Sequence, residues 1–408
     1  MVKETASRSP SRKRSARAPR ASRPEGRVVD FTVPRKKTKV ALTGASGLLG
    51  SHLVKTLASS GTYDVVVFDL VPPAESSTEI KHRFVDLNLP HADGMVLKLL
   101  KEERPDVIVH LAALRSPSRE ATYAHELNSI GALHVLAAAG EAGVSRIVLG
   151  STTMVYGARG DNPNFLSEEH PLRPDPEDRF VRDFVEAESH ARNHVRQHPD
   201  SRVAVLRFAP ILAPDARDYR AKLLESPFVV TLMGYDPLLQ FLDPTDAVDA
   251  ILRVLETPEA KGVFNISPDG VVPLSTAFLL YGTLGIPIPH PIAYPLIEAA
   301  WLAGLGLFPG AHAHYLRYLC VTENAKAKRV LGWEPRQTSL VTLLATARVR
   351  RGKGRAIDFD VLSDVARTAA YRYEQHVKGA GHAPPAPRGA AAGAASGPGH
   401  SPGPRRVS

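Results

Sequence analysis

Between about residue 38 and residue 350 the chain repeats one pattern: a short apolar run, a turn, and a longer stretch with helical spacing. The runs are residues 39–43 (KVALT), 64–69 (DVVVFD), 84–87 (FVDL), 106–111 (DVIVHL), 146–150 (RIVLG) and 203–208 (VAVLRF). They are rich in Val, Ile and Leu and hardly alternate with polar residues, as in strands whose two faces are both covered. Helical spacing fills 48–57, 95–101, 124–142 and 180–196. Strand and helix in alternation predict an α/β fold built on a doubly wound parallel sheet. After Pro210 the pattern loosens. Residues 246–255 (DAVDAILRVL) still read as an amphipathic helix. From Gly262 onward, short strands, Pro-rich turns and helices predict a smaller, mostly C-terminal α/β lobe over the carboxyl edge of the sheet.

Composition divides the chain further. Residues 1–37 read as a disordered basic tail and residues 379–408 as a disordered Ala/Gly/Pro tail. Between them, 38–258 is expected to form the sheet domain, with part of the smaller lobe inserted around 211–240, and 259–378 the lobe and C-terminal helices. The formal charge is +9. Residues 1–39 hold thirteen Lys/Arg against Glu4, Glu25 and Asp30, and residues 379–408 add Arg388, Arg405 and Arg406 with no acid. The chain between is therefore net acidic, so no nucleic acid is expected on the folded core. Cys320 is the only cysteine, which rules out an intrachain disulfide or a Cys-based metal site. No apolar secretory segment opens the chain, although the Arg/Ser-rich start also matches the composition of an organelle transit peptide. A cytoplasmic location is the expectation. His110, His134 and His170 show no metal spacing. Residues 291–308 (PIAYPLIEAAWLAGLGLF) are apolar but broken by Pro295, Glu298, Gly304 and Gly306. They read as a helix packed on the lobe, with membrane contact the lesser alternative.

Candidate chemistry begins at residues 43–50, TGASGLLG, which follow the first strand and open the first helix. There Gly44 permits a tight turn, Gly47 lets backbone approach a pyrophosphate, and Gly50 allows close packing of the helix. Ser46 and Leu48 complete the loop, and the helix N-terminus offers N–H groups and a positive dipole end to phosphate. Asp69 ends the second strand, 19 residues after Gly50. A carboxylate there accepts ribose hydroxyls and repels a 2′-phosphate, and no Arg follows it closely. The combination is a Rossmann dinucleotide site, with NAD preferred over NADP.

Together with FVDL, HLAA, ELNSIGALHVL, STTMVYG, LRFAP, FLDPTDAVDAIL, FNIS and AKRVLGWEPR, this loop resembles the extended short-chain dehydrogenase/reductases of the NAD-dependent epimerase/dehydratase type. The resemblance covers about residues 38–350. It implies adenine beside Asp86 and Leu87, and cofactor lining at Leu111, Ala112, Ala113 and Asn128. It puts the family's catalytic hydroxyl at Thr152, four residues before Tyr156. Plainer readings stand beside these: Asp86 as a turn residue, the two alanines as packing, Thr152 as a strand-end hydroxyl, and Asp243 as a helix N-cap. The family's proton-transferring Tyr, with a Lys four residues later, falls on Phe180 and Phe184, with Glu188 as the acid that follows. No shift of register rescues the pair. None of the 11 tyrosines has a Lys four positions on, and no Lys occurs between Lys101 and Lys222. Phenylalanine cannot transfer a proton. Tyr156 is the nearest remaining phenol and a second catalytic candidate. Arg179, Arg182 and His190 read as solvated charge.

Two functions follow from the resemblance. One is an NAD-dependent enzyme acting on a nucleotide sugar or related hydroxylated small molecule. The other is a catalytically impaired NAD-binding regulator or scaffold. Family likeness also implies a homodimer through the helices at 124–142 and 180–196.

Overall fold

The computed structural model describes residues 37–73 and 80–351. Residues 1–36, 352–378 and 379–408, on which the tails and part of the C-terminal lobe were expected, lie outside the described residues. The first half runs β1 (Thr38–Thr43), α1 (Leu48–Ser60), β2 (Tyr63–Asp69), β3 (Lys81–Phe84), α2 (Ala92–Glu103) and β4 (Val107–His110). Next come α3 (Ala121–His125), a π-turn (Glu126–Ile130) and α4 (Gly131–Ala142), continuous in backbone conformation. β5 (Arg146–Thr152) ends in a 3-10 turn (Thr153–Tyr156) and is followed by α5 (Arg179–Gln197) and β6 (Arg202–Phe208). The rest comprises α6 (Tyr219–Glu225), β7 (Phe228–Leu232), β8 (Leu238–Leu239), α7 (Pro244–Glu256), β9 (Gly262–Ile266), β10 (Val272–Pro273) and α8 (Leu274–Tyr281). After these come β11 (Leu284–Ile288), α9 (His290–Leu302), a second 3-10 turn (Gly310–Leu316), α10 (Ala325–Leu331) and α11 (Ser339–Arg351).

Seven strands pair in parallel in the order β3-β2-β1-β4-β5-β6-β9. Alternate residues of each inner strand enter opposite cores. Val40 and Leu42 pack with Leu53, Leu57 and Ile251 on one face, while Ala41 packs with Val96, Val135 and Leu136 on the other. With both faces covered, the strands have no polar side to show, hence the unbroken apolar runs. The strand order reverses between β1 and β4, so a crevice opens at their carboxyl ends, where α/β sheets take ligands.

Two expected strand positions shift. The third strand is Lys81–Phe84, not 84–87. It is the sheet's edge, paired only with β2, and its KHRF sequence is half-exposed. The apolar Val85 and Leu87 lie just beyond it, buried against α2 and α4. Gly262–Ile266, expected in the smaller lobe, is instead the seventh strand of the main sheet, paired with β6.

A third core gathers residues 212–241 with residues 272–316, and Leu343 and Leu344 of α11. Strand β7 pairs in parallel with β11, and β8 antiparallel with β10. Helix α9 packs here through Ala293 and Ile297, as expected of that apolar stretch. No helix among the described residues is long and apolar enough to cross a membrane. Asp243 caps α7 by accepting Thr245 N–H at 2.8 Å. The fully buried Asp246 accepts the N–H groups of Arg336 and Gln337 at 3.0–3.1 Å, and Trp333 Nε1 donates to its carbonyl at 3.0 Å. The motifs FLDPTDAVDAIL and LGWEPR are thereby bound to one another.

At the opposite edge of the sheet, the buried Glu103 carboxylate receives Lys39 Nζ at 3.0 Å, Lys81 Nζ at 2.6 Å and Arg83 Nη2 at 2.6 Å. It clamps the end of α2 to the starts of β1 and β3. Burial opposes ionisation, but hydrogen bonds from Lys81, Arg83 and Lys39 outweigh it and hold the carboxyl at about 2 rather than 4.5. A group depressed on folding contributes stability above its unfolded pKa and loses it as pH falls through the folded value. Glu103→Gln is therefore expected to lower stability in urea unfolding at neutral pH. Its deficit against the parent should shrink as pH falls from about 4.5 towards 2.

Candidate active site

Strand β1 runs into Gly44, whose φ of +75° favours glycine. A Cβ there would lie 2.4 Å from Ala112 N, because the loop after β4 passes directly against it. At Gly50 a Cβ would lie 2.0 Å from the Gly44 carbonyl oxygen, so this glycine closes the loop onto α1. Gly47 differs. Its nearest neighbour is the Gly44 carbonyl oxygen at 3.3 Å, and its free side borders a cleft. Gly47 is also the N-cap of α1 and supplies no side chain to the first turn. The leading N–H groups and the positive dipole end are left for an anion. Asp69 stands beside this loop. Its Oδ2 accepts Ser46 N–H at 2.9 Å, and its Oδ1 accepts Ser46 Oγ at 3.2 Å and Leu70 N–H at 2.7 Å.

Counted with the open solvent at its mouth, the cleft spans about 730 Å³. Its lining brings together Gly44, Gly47, Leu48 and Gly50 of the loop with Leu111 and Ala113 after β4 and Thr152 at the end of β5. Ala112 supports the wall from behind, against Gly44. Asn128 sits in the π-turn, where its Oδ1 accepts Leu114 N–H at 2.7 Å and fixes the wall loop; its buried Nδ2 has no hydrogen-bond partner among the described residues. Asp86 and Leu87 are not in the lining. Asp86 Oδ1 accepts Asn88 N–H at 3.0 Å and Asn88 Nδ2 at 3.2 Å, holding its own turn, and Leu87 is buried against Gly131.

Thr152 Oγ1 accepts Met154 N–H at 3.3 Å, and the side chain is half-buried at the cleft. Tyr156 is not brought to the cleft, which corrects its candidacy for catalysis. It is fully buried, receives Arg207 Nη1 on its phenol oxygen at 2.7 Å and donates to Asn265 Oδ1 at 2.7 Å. Burial pushes this phenol up to about 12. Arg207 also donates Nε and Nη2 to the two Glu188 oxygens at 2.9 and 2.6 Å, and Ser151 Oγ donates to Glu188 Oε1 at 2.7 Å. Hydrogen bonds to Glu188 and the charges of Glu188 and Tyr156 raise the Arg207 pKa against the pull of burial. STTMVYG, LRFAP and FNIS thus supply one buried polar network beneath the cleft floor.

Phe180 and Phe184, one helical turn apart on α5, both face the cleft and meet edge to face at 5.3 Å between ring centroids. The positions that the resemblance assigns to the proton-transferring pair thus border the cleft, and they carry hydrocarbon. Two cations that sequence reasoning missed, Arg115 and Arg220, enter the same cleft. Arg115 pairs with Asp218 at 3.2 Å, and Arg220 contacts Met154 Sδ and lies 4.6 Å over the Tyr219 ring. Both are placed by contacts across more than 60 residues, so no local spacing signals them.

The model of the NAD-dependent epimerase/dehydratase family matches residues 40–267. A protein of Mycobacterium tuberculosis is 28% identical over 340 residues, which cover 79% of this chain and 90% of that relative. A UDP-glucose 4-epimerase of rice is 27% identical over 197 residues, covering 44% of this chain and 46% of the rice protein. Among solved structures, the UDP-glucose 4-epimerase of Thermotoga maritima with UDP-glucose superposes with a TM-score of 0.60 at 21% identity. That match covers 77% of this chain and 99% of the epimerase. The dTDP-glucose 4,6-dehydratase of Bacillus anthracis in complex with NAD also gives a TM-score of 0.60, at 18% identity, covering 78% and 97%. At these identities the structures establish a shared fold.

Two of the loop glycines are expected to fail in different ways. Gly50→Ala forces a Cβ onto backbone and should lower unfolding free energy by about 1–3 kcal/mol, the usual range for overpacking. Gly47→Ala sets its Cβ 3.3 Å from the Gly44 carbonyl oxygen, a tight contact that a shift of a few tenths of an ångström relieves. It should lower the melting temperature of the cofactor-free protein less than Gly50→Ala does, while weakening NAD binding at least about tenfold, or ~1.4 kcal/mol. Thermal melts and calorimetric titration on the same preparations separate the two effects.

Proposed function

The chain belongs to the NAD-dependent epimerase/dehydratase family, and from that premise we propose that its cleft binds NAD and acts on a nucleotide sugar or a related hydroxylated small molecule. The observation carrying this reading is that one cleft joins the glycine loop, Thr152 and the Phe180–Phe184 face. The residues fit a dinucleotide: Gly47 leaves a cradle that a Cβ would fill, and the N-terminus of α1 carries no side-chain cap. When bound, NAD would supply a hydride acceptor.

The chain's own residues divide the remaining work. The α1 N-terminus, with Gly47, would hold the pyrophosphate. Asp69, beside Ser46 at the end of β2, would take the adenosine ribose hydroxyls and disfavour a 2′-phosphate, which selects NAD over NADP. Thr152 would hydrogen-bond the reacting substrate oxygen. Phe180 and Phe184 would exclude water from that oxygen, strengthening each polar contact made to it. Support for the substrate class comes from fold neighbours, one of which holds UDP-glucose in the T. maritima epimerase. Arg115 and Arg220, which reach the same cleft, would suit an anionic diphosphate.

Calorimetric titration tests the proposal. NAD should bind at least about tenfold more tightly than NADP, and Asp69→Ala should weaken NAD and narrow that ratio. UDP-glucose should bind the NAD-loaded protein. Tighter binding of NADP, or indifference to Asp69→Ala, would contradict the cofactor assignment.

A further inference from the structure

With Phe180 and Phe184 at the cleft, the proton that must leave a substrate hydroxyl during oxidation needs another acceptor. A second polar assembly lies immediately behind Phe180. His312, in the Gly310–Leu316 turn, places Nδ1 2.7 Å from Asp178 Oδ2 and Nε2 2.6 Å from Tyr219 Oη. Asp178 is the N-cap of α5, the helix that carries both phenylalanines, and its Oδ1 accepts Val181 N–H at 3.3 Å. Tyr219 opens α6. Three segments separated by 93 and 134 residues therefore meet in one line of two hydrogen bonds. All three side chains are buried, with at most 6% of each exposed.

The surroundings are apolar and shared with the cleft. Tyr219 and His312 border a small cavity, whose other walls include Leu223, Leu224 and Phe308. Pro210 and Arg220 line both this cavity and the cofactor cleft. The Phe180 and His312 rings are 5.9 Å apart. An ionisable line of this kind in a hydrocarbon setting is costly unless every member is satisfied. Here Asp178 orients the imidazole, the imidazole faces a phenol, and the phenol, whose Oη also lies 3.8 Å from Met154 Sδ, borders the small cavity. This is the order of orienting acid, base and reacting hydroxyl found in hydrolytic triads.

We propose that Tyr219, linked through His312 to Asp178, accepts and returns the substrate hydroxyl proton in place of the Tyr/Lys pair that Phe180 and Phe184 displace. The inference rests on the reading of the cleft as an NAD site acting on a hydroxylated substrate. In the oxidative step the carbinol O–H bond breaks and its proton passes to Tyr219 Oη as the phenol's own proton moves to His312 Nε2. The carbinol C–H bond breaks with its electron pair, which goes to NAD⁺ as hydride, leaving a ketone. The reverse sequence returns the proton. Asp178 Oδ2, 2.7 Å from Nδ1, holds the imidazolium in place. Burial keeps the resting phenol neutral, while Arg220 over its ring favours negative charge when it develops; Asp218, Asp178 and Cys320 oppose that charge, and Tyr315 packs on the imidazole at 5.1 Å. Tyr219 is thus the catalytic residue, and His312 and Asp178 are positioning residues.

Two measurements on the full chain decide this. Nitrogen-15 NMR of histidine-labelled protein reads the His312 imidazole, recognised as the signal that moves in Tyr219→Phe. A neutral ring protonated at Nδ1 is expected. A ring protonated at Nε2, or an imidazolium at the assay pH, overturns the proposal because neither can accept the phenol proton. The second measurement follows nicotinamide reduction with NAD and UDP-glucose. Tyr219→Phe should lose on the order of 10²–10⁴ in rate, the usual range for a general acid or base. Adding Phe180→Tyr and Phe184→Lys should make the same change harmless, which a merely structural Tyr219 would not allow. An undiminished rate in Tyr219→Phe, an equal loss in both backgrounds, or no reduction by a parent protein that binds both ligands overturns the relay. Failure to bind NAD or UDP-glucose by calorimetry instead overturns the functional reading, and the imidazole state then judges the relay alone.

Discussion

The ion pair between Arg207 and Glu188 is the contact on which the rest of the site depends. It is bidentate, buried on both sides, and extended by Ser151, Tyr156 and Asn265. These five residues come from β5, the turn after it, α5, β6 and β9. The network therefore ties the helix carrying Phe180 and Phe184 to three adjacent strands of the sheet. Removing one partner of such a pair leaves an uncompensated buried charge, which costs about 3–5 kcal/mol. Whole domains are stable by only about 5–15 kcal/mol. A loss of that size would release α5 from the sheet, and the cleft wall with it.

Sheet topology decides where the cleft forms and the glycines decide how close its walls come. Crossing from β3 back to β4 leaves an opening beside β1, and Gly44 lets the loop after β4 settle against the first turn of the phosphate loop. Gly50 and Gly47 both border the space, but only Gly50 is pressed onto the loop backbone, where a Cβ would lie 2.0 Å from the Gly44 carbonyl oxygen. The smaller lobe adds Arg220 to the cleft wall, and Arg220 and Pro210 also line the separate small cavity that Tyr219 and His312 border.

Much of the fold was legible because each inner strand is covered on both sides and its sequence shows it. The edge strand β3 was misplaced by three residues, since an edge tolerates KHRF and the apolar signal moved to the buried turn beyond it. Gly262–Ile266 looked like lobe because the strand is short and follows the loosened pattern, yet pairing with β6 completes the sheet. At the site, the glycine loop and Asp69 could be read locally, since both lie near strand ends in one motif. Phenylalanine at the two positions that the resemblance assigns to Tyr and Lys was equally readable, being a matter of residue identity. Tyr156 was the nearest phenol in sequence but faces inward to Arg207 and Asn265. Arg220, Tyr219 and His312 gave no signal, because only folding brings residues this far apart into contact.

The claim that the glycine-loop cleft is a cofactor site is tested most directly by hydrogen–deuterium exchange of the full chain with and without NAD. The account predicts slowed exchange of backbone amides at residues 44–51 and 111–115, with no comparable protection in the segment 284–302. Unchanged exchange around the loop at saturating NAD, or protection confined to another part of the chain, would contradict it.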